Sequence, residues 1–269
     1  MRVLFLGDIY GRAGRKAVME AAPKLKKDLK LDVLIVNAEN AARIAGVTPQ
    51  ICDKLYEAGV DVITLGDHAF DRQEIFPYMD ETPNIIRPIN FGDEKPGRFH
   101  TIFETSRGKK LLVINAMGSV FMKEETEGFD LVDTFLKKYP LGGMVDGIFV
   151  DFHAEATSEK QAFGHFMDGR VSCVVGTHTH CPTSDTKILP KGTGYQTDAG
   201  MCGDYNSVIG AEIEEPINRF TTKEPGGRLK AAMDEVTLSG TFFELGPNGL
   251  PTTISAFVQG PHLMNIGPA

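Results

Sequence analysis

The chain has 269 residues, 42% of them hydrophobic and 24% charged, enough for a substantial core in one large α/β domain or two small ones. Its formal net charge of −8 argues against binding a nucleic-acid duplex through a broad basic surface, but does not exclude a small nucleotide or an RNA end at a metal site. No apolar run of about 18 residues exists, so no membrane-spanning helix is expected.

Arg2 to Leu6 reads as a short buried strand, ended by Gly7-Asp8. Arg12 to Leu29 carries Ala17, Val18, Ala21, Ala22, Leu25 and Leu29 at helical spacing, with lysines opposite. Pro23 predicts a kink or a split there. Val33 to Val36 is a second buried strand, ending at Asn37-Ala38-Glu39-Asn40. Thr48-Pro49 opens a helix with an N-cap and a proline in the first helical position. That helix runs to about Ala58, and Gly59 closes it. Val62 to Leu65 is a third strand, ending at Gly66-Asp67-His68. Three strand–helix units in about 65 residues predict a parallel sheet with right-handed crossovers.

Asp71 to Tyr78 reads as a short helix and Thr82 to Phe99, rich in proline and glycine, as loop. Thr101 to Glu104 and Leu111 to Asn115 read as strands around the turn Ser106-Arg107-Gly108. Glu124 to Glu127 reads as a polar loop and Asp130 to Lys138 as helix. Gly147 to Val150 is a strand ending at Asp151-Phe152-His153, and Ser158 to Phe166 is helical. Val171 to Val175 is a buried strand leading into Gly176-Thr177-His178-Thr179-His180. The last third reads as β-rich, with strands over Gly194 to Thr197, Glu235 to Phe243 and Thr252 to Phe257. With no solenoid repeat and no low-complexity linker, the expectation is one domain over residues 1–269, two sheets face to face with helices outside.

Five strand-like runs end in ligand-type residues, and these carry the functional reading. Ligands of open α/β sheets bind beyond the carboxyl ends of the strands. Asp8, Glu39, Asp67, His153 and the His178/His180 pair all fall there. Three carboxylates buried at one edge are costly without cations, and two divalent ions offset that cost. The mixed carboxylate and imidazole set suits manganese, iron or zinc better than magnesium or calcium. Glu39, from the more central strand, is the bridging candidate. Two such ions generate hydroxide from a shared water and stabilise in-line displacement at phosphorus. His68 points the other way along an extended chain and is the candidate proton donor to the leaving alkoxide. Asn40 is placed either as a metal ligand or as a holder of the phosphate.

Cys52, Cys173, Cys181 and Cys202 show no CxxC spacing and read as free thiols. Cys181, beside His180, is the one suited to be a soft ligand. His100, His165 and His262 read as surface or packing residues. Gly11 and Gly14 beside Arg12 read as a tight turn or a phosphate cradle. A metallo-β-lactamase would place HxHxDH on one loop, and an amidohydrolase would place HxH after the first strand; this chain does neither.

Gly7-Asp8, Asn37-Ala38-Glu39-Asn40, Gly66-Asp67-His68, His153 and Thr177-His178-Thr179-His180 follow the motif order of the calcineurin-like metallophosphoesterases. The chain most resembles their bacterial YmdB-like branch, a group of cyclic-nucleotide phosphodiesterases. The likeness covers nearly the full length and includes Thr197-Asp198-Ala199-Gly200-Met201. It implies a four-layer α-β-β-α sandwich and hydrolysis of 2′,3′-cyclic nucleotides, with 3′,5′-cyclic nucleotides as further candidates. It also implies a di-iron or di-manganese centre, while zinc stays an alternative on ligand chemistry. One metal would take Asp8, Glu39, Asn40 and His180, the other Glu39, Asp67, His153 and His178, with His68 matching the family's proton donor.

Two positions depart from the pattern. Tyr10 stands where the wider superfamily has a histidine, a lack the YmdB-like branch shares. Asp67 stands where the family has asparagine, making the centre one charge less positive. That motivates an alternative function, a low-turnover, metal-bound nucleotide-sensing or regulatory protein. The N-terminus enters Val3-Leu4-Phe5-Leu6 without the longer apolar segment of a signal peptide, so a cytoplasmic protein is expected. The expected partners are small phosphodiesters, neither duplex nucleic acid nor membrane, and a second copy in a homo-oligomer.

Overall fold

The computed structural model describes residues 1–122, 128–222 and 226–268; the stretch Glu124 to Glu127, expected as loop, lies outside them. The chain begins with β1 (Arg2–Leu6), β2 (Asp8–Ile9), α1 (Gly11–Asp28), β3 (Val33–Asn37), α2 (Pro49–Glu57) and β4 (Val62–Thr64). It continues through α3 (Ile75–Glu81), β5 (Ile85–Ile86), a 3-10 turn at Ile89–Phe91, β6 (His100–Glu104) and β7 (Lys110–Met117). Then come α4 (Gly128–Leu136), β8 (Gly147–His153), α5 (Thr157–Met167), β9 (Cys173–Thr177), β10 (Lys187–Ile188) and β11 (Gly194–Gln196). The last elements are β12 (Met201–Cys202), α6 (Glu214–Thr222), β13 (Leu238–Leu245) and β14 (Pro251–Gln259).

The continuous apolar runs become central strands, because a strand covered on both faces needs no polar alternation. One six-stranded sheet has the order β14-β13-β1-β3-β4-β5 and the other β10-β11-β9-β8-β7-β6, while β12 pairs with β2 alone. β1, β3, β4 and β5 run parallel, as do β7, β8, β9 and β11. The antiparallel strands β13, β14, β10 and β6 flank them. The fold is therefore mixed α/β, with parallel and antiparallel pairing in each large sheet.

Alternate residues of β1 face different cores, as the strand period of two requires. Val3 and Phe5 join Val33, Ile35, Leu111, Val113, Phe149 and Val175, a cluster drawn from both sheets. Phe149 lies 4.9 Å from Phe5 and 5.7 Å from Phe243, centroid to centroid. Truncating such a buried ring to alanine costs about 3–5 kcal/mol. Leu4 and Leu6 instead meet Val18, Ala22 and Leu25 of α1 and Ile51 and Leu55 of α2. On the other sheet Leu112, Ile114, Ile148 and Val150 pack on Val132 and Leu136 of α4 and Phe163 and Met167 of α5.

Three expectations need correction, and of the kink or split expected at Pro23 the split does not occur. α1 runs unbroken through Pro23. A proline there removes one i→i−4 bond, but Val18, Ala22 and Leu25 hold the helix to the core on both sides of it. α3 starts at Ile75, not Asp71. That start puts Pro77 in the first turn, where its missing N–H is not needed. The stretch Thr82 to Phe99 contains β5 and the 3-10 turn. It is organised by buried Arg87, whose guanidinium donates to the carbonyls of Pro88, Gly92 and Lys95 at 3.0, 2.6 and 3.2 Å. The C-terminal third, expected as β-rich, also contains α6. Among the described residues no helix is long and apolar enough to cross a membrane.

Candidate metal centre

Register sets the site. Met117, His153 and Thr177 are level across β7, β8 and β9, and Leu6 with Val36 and Asn37 with Thr64 across β1, β3 and β4. Asp8, Glu39, Asp67, His153 and His178 all sit at or just past these carboxyl ends. Donor atoms of Glu39, Asp67, His153 and His178 lie within 4.8 Å of one another. His153 Nε2 is 3.1 Å from Asp67 Oδ1, 3.4 Å from Glu39 Oε1 and 3.0 Å from His178 Nδ1. Gly66 makes room for this approach, since a Cβ there would fall 2.3 Å from Glu39 Oε2 and 2.4 Å from His153 Nε2.

The hydrogen bonds fix which lone pairs face inward. Thr177 Oγ1 donates to Asp151 Oδ1 at 2.7 Å, so it accepts from His153 Nδ1 at 2.9 Å. Burial pushes the His153 pKa down to about 4. The ring is therefore neutral, with an unprotonated Nε2 turned toward the carboxylates. His180 repeats the arrangement. Its Nδ1 donates to the Ile209 carbonyl at 2.7 Å, and burial lowers its pKa. Its bare Nε2 then faces Asn40 Oδ1 at 3.2 Å, while Asn40 Nδ2 donates to the Ile44 carbonyl at 3.0 Å. Asp8 accepts from the His178 N–H through Oδ2 at 3.2 Å, and its buried Oδ1 has no hydrogen-bond partner among the described residues.

The carboxylates strain against one another. Burial, then Asp198, raises Asp8 to about 7. Burial, then Asp67 and Asp8, raises Glu39 well above the usual range. Burial also acts on Asp67, but the imidazole of His178, whose own pKa the surrounding carboxylates raise against burial, holds it far below that range. Convergent lone pairs, crowded carboxylates and one orphaned oxygen fit a divalent cation, which supplies the missing positive charge.

The backbone at the histidine pair is held in an uncommon shape. His178 has φ 99° and His180 φ 65°, a left-handed region that costs side-chain-bearing residues about 1–3 kcal/mol each. Asp198 braces the turn by accepting from Thr179 N and Oγ1 at 3.2 and 2.7 Å. Asp198 is itself paired with Lys160 at 2.6 Å, both side chains 1% exposed.

His68 donates its N–H to Glu39 Oε2 at 3.1 Å, and its Nδ1 lies 2.8 Å from Asp71 Oδ2. With Asn40, Glu39, His178 and His180 it lines a cavity of about 610 Å3, walled by Tyr10, Ile209 and Phe220. Cys181 is exposed and stands outside the four-residue cluster. His100 packs against Phe99 and Phe135, His165 is exposed, and His262 lies 3.6 Å from Asp204.

Sequence reasoning missed several participants. Asp151 is buried and accepts from Thr64, Thr177 and Asn37 at 2.6, 2.7 and 3.1 Å. Glu155 lies 3.2 Å from His178 Nε2. The only local hints were Glu155 two residues past His153 and Asp71 three past His68.

Residues 4–257 match the model of a family described as YmdB-like protein. The chain belongs to the YmdB-like family. A 2′,3′-cyclic-nucleotide 2′-phosphodiesterase of Bacillus subtilis (strain 168) is 45% identical to this YmdB-like chain over 249 residues, 91% of each protein. A crystal structure of a hypothetical protein from Thermus thermophilus is 40% identical with a TM-score of 0.89, covering 97% of this chain and 99% of that one. A structure described as a novel phosphatase from Mycoplasma pneumoniae is 34% identical, also at 0.89, covering 97% and 93%.

Proposed function

We propose that the chain is a metallophosphoesterase that opens 2′,3′-cyclic nucleotides, with 3′,5′-cyclic nucleotides as second substrates. The observation that carries this is the convergence of imidazole nitrogens and carboxylate oxygens on one point at the edge of both sheets. Glu39, Asp67, His153 and His178 would hold one divalent ion, and Asp8, Glu39, Asn40 and His180 a second, iron or manganese before zinc. Bound there, such ions lower the pKa of coordinated water and neutralise charge on phosphoryl oxygens.

The rest of the chemistry belongs to the chain. Addition of water to phosphorus breaks a ribose P–O bond, and His68 delivers a proton to the departing oxygen. Asp71 orients the His68 ring through Nδ1. Asp151, through Thr177, fixes the His153 tautomer, as outer carboxylates do for metal-bound imidazoles. Tyr10, Ile209 and Phe220 offer the base an apolar wall.

The same reading takes residues 1–269 as one domain with a four-layer α-β-β-α architecture. Its support is one apolar cluster between the sheets and one beneath helices on each outer face. It places the protein in the cytoplasm as a homo-oligomer.

The test is hydrolysis of bis-p-nitrophenyl phosphate and a 2′,3′-cyclic nucleotide by protein loaded with Mn²⁺ or Fe²⁺. No turnover of either across a full panel of divalent metals sinks the proposal. Asp67 favours a second reading, a metal-bound nucleotide sensor with little turnover, because a third carboxylate makes the centre less attractive to an anionic phosphate.

A further inference from the structure

A second cavity, of about 710 Å3, opens beside the metal-site cavity and shares Ile44, Arg219 and Leu229 with it. Its rim carries Arg12, Arg43, Arg72, Arg219, Arg228 and Lys230, and among the described residues no carboxylate lines it. This is an unusual concentration of positive charge for a chain of net charge −8. Arg219 and Lys230 have carboxylate partners, Glu215 at 3.1 Å and Glu212 at 3.9 Å. Arg12, Arg43, Arg72 and Arg228 have none among the described residues. A third cavity, of about 430 Å3, continues past Arg43 and Arg72 to Arg15 and Lys54.

The arginines are positioned by the fold. Arg43 follows Asn40 on the same loop and takes a left-handed φ of 68°. Arg72 donates to the Ala42 carbonyl at 3.4 Å, and its buried Nε has no hydrogen-bond partner among the described residues. Gly46 permits this, since a Cβ there would meet Arg72 Cγ at 2.6 Å. Arg12 lies in the first turn of α1, which has no acidic residue, and Arg15 follows directly after it. Cations at that end oppose the helix dipole, an arrangement that an anion nearby would relieve. A cyclic mononucleotide has one phosphate and leaves this track without a ligand.

We propose that the track holds the backbone of single-stranded RNA whose 3′ end, a 2′,3′-cyclic phosphate, enters the metal centre. This rests on the phosphodiesterase reading above and deepens it. Ribose is required for such a terminus, and strand cleavage by attack of a 2′-hydroxyl leaves it on the upstream fragment. The preceding phosphates then meet Arg43, Arg228 and Arg12. Arginine suits them, since its planar fork binds phosphate oxygens in pairs.

The experiment compares a short oligoribonucleotide ending in a 2′,3′-cyclic phosphate with the cyclic mononucleotide, in the wild type and in Arg43→Glu/Arg228→Glu. Two quantities are read: kcat/KM on each substrate, and fluorescence anisotropy of the 5′-labelled oligonucleotide on metal-free protein. Two or three phosphate contacts predict that affinity falls roughly tenfold between about 50 and 200 mM salt. The charge reversal should weaken oligonucleotide binding at least as much and lower the oligonucleotide-to-mononucleotide ratio of kcat/KM. A thermal melt checks that the variant folds, with Arg43→Gln/Arg228→Gln as the milder substitute. If the mononucleotide is not hydrolysed, the phosphodiesterase reading fails while anisotropy still decides the track. Equal affinity in wild type and folded variants, or equal binding of a DNA strand ending in a 3′-phosphate, overturns the proposal.

Discussion

His180 Nε2 and Asn40 Oδ1 face each other at 3.2 Å, and neither atom has a proton to give. The opposite side of each group is already committed, His180 Nδ1 to Ile209 and Asn40 Nδ2 to Ile44. Two acceptors aimed at each other in a buried place repel unless a cation lies near both.

Replacing His180 with alanine should therefore remove about one ion per chain from protein loaded with two. Elemental analysis after gel filtration measures this. Unchanged metal content in the folded variant would contradict the assignment of His180 and Asn40 to an ion.

His68 is assigned a proton, so its removal should depend on the leaving group. His68→Ala should slow cyclic-nucleotide hydrolysis about 10²–10⁴-fold, the usual worth of a positioned general acid. p-Nitrophenolate departs without protonation, so bis-p-nitrophenyl phosphate should suffer far less. Equal losses on both substrates would assign His68 to binding instead.

Asp67→Asn puts a neutral amide in place of the third carboxylate. With Asp67 Oδ1 within 3.1 Å of His153 and 3.5 Å of His178, the change removes one negative charge from the middle of the cluster. Under the enzyme reading kcat rises only a few-fold and metal binds less tightly. A rise on the order of a hundredfold, about 2.7 kcal/mol of barrier, would instead mark the native protein as a low-turnover sensor.

The metal-free protein should lose stability as pH rises. Burial holds Asp8 and Asp151 up to about 7 in the folded chain, whereas unfolded aspartates titrate near about 3.9. Between those values these two groups bind more protons in the folded state than in the unfolded one, so the stability they contribute is highest below the lower value and falls toward the upper one. Neutral His153 and His180 work the other way until their unfolded pKa near about 6.5 is passed. The Tm of chelator-treated protein should drop across that window, and Asp8→Asn should flatten the slope. Added Mn²⁺ should raise Tm most at the alkaline end. A Tm that climbs with pH, equally in wild type and variant, would refute this account.

Much of the centre was legible because a parallel sheet places its functional groups at strand ends. Glu39, Asp67, His153 and His178 could be found by reading where apolar runs stop. Asp151 could not, because its partners Asn37, Thr64 and Thr177 lie 114, 87 and 26 residues away. β2 and β12 escaped notice because two-residue strands exist only through each other, Asp8 level with Met201. Arg12, Arg43, Arg72, Arg219 and Arg228 look unrelated along the chain, and only folding gathers them.

Glu39 and Asp67 follow strands of one large sheet, while His153 and His178 belong to the other. A cation held by all four would clasp the two halves of the molecule at their shared rim. The ion that equips the centre for chemistry would then also be a rivet, and a chelator would loosen the architecture along with the activity.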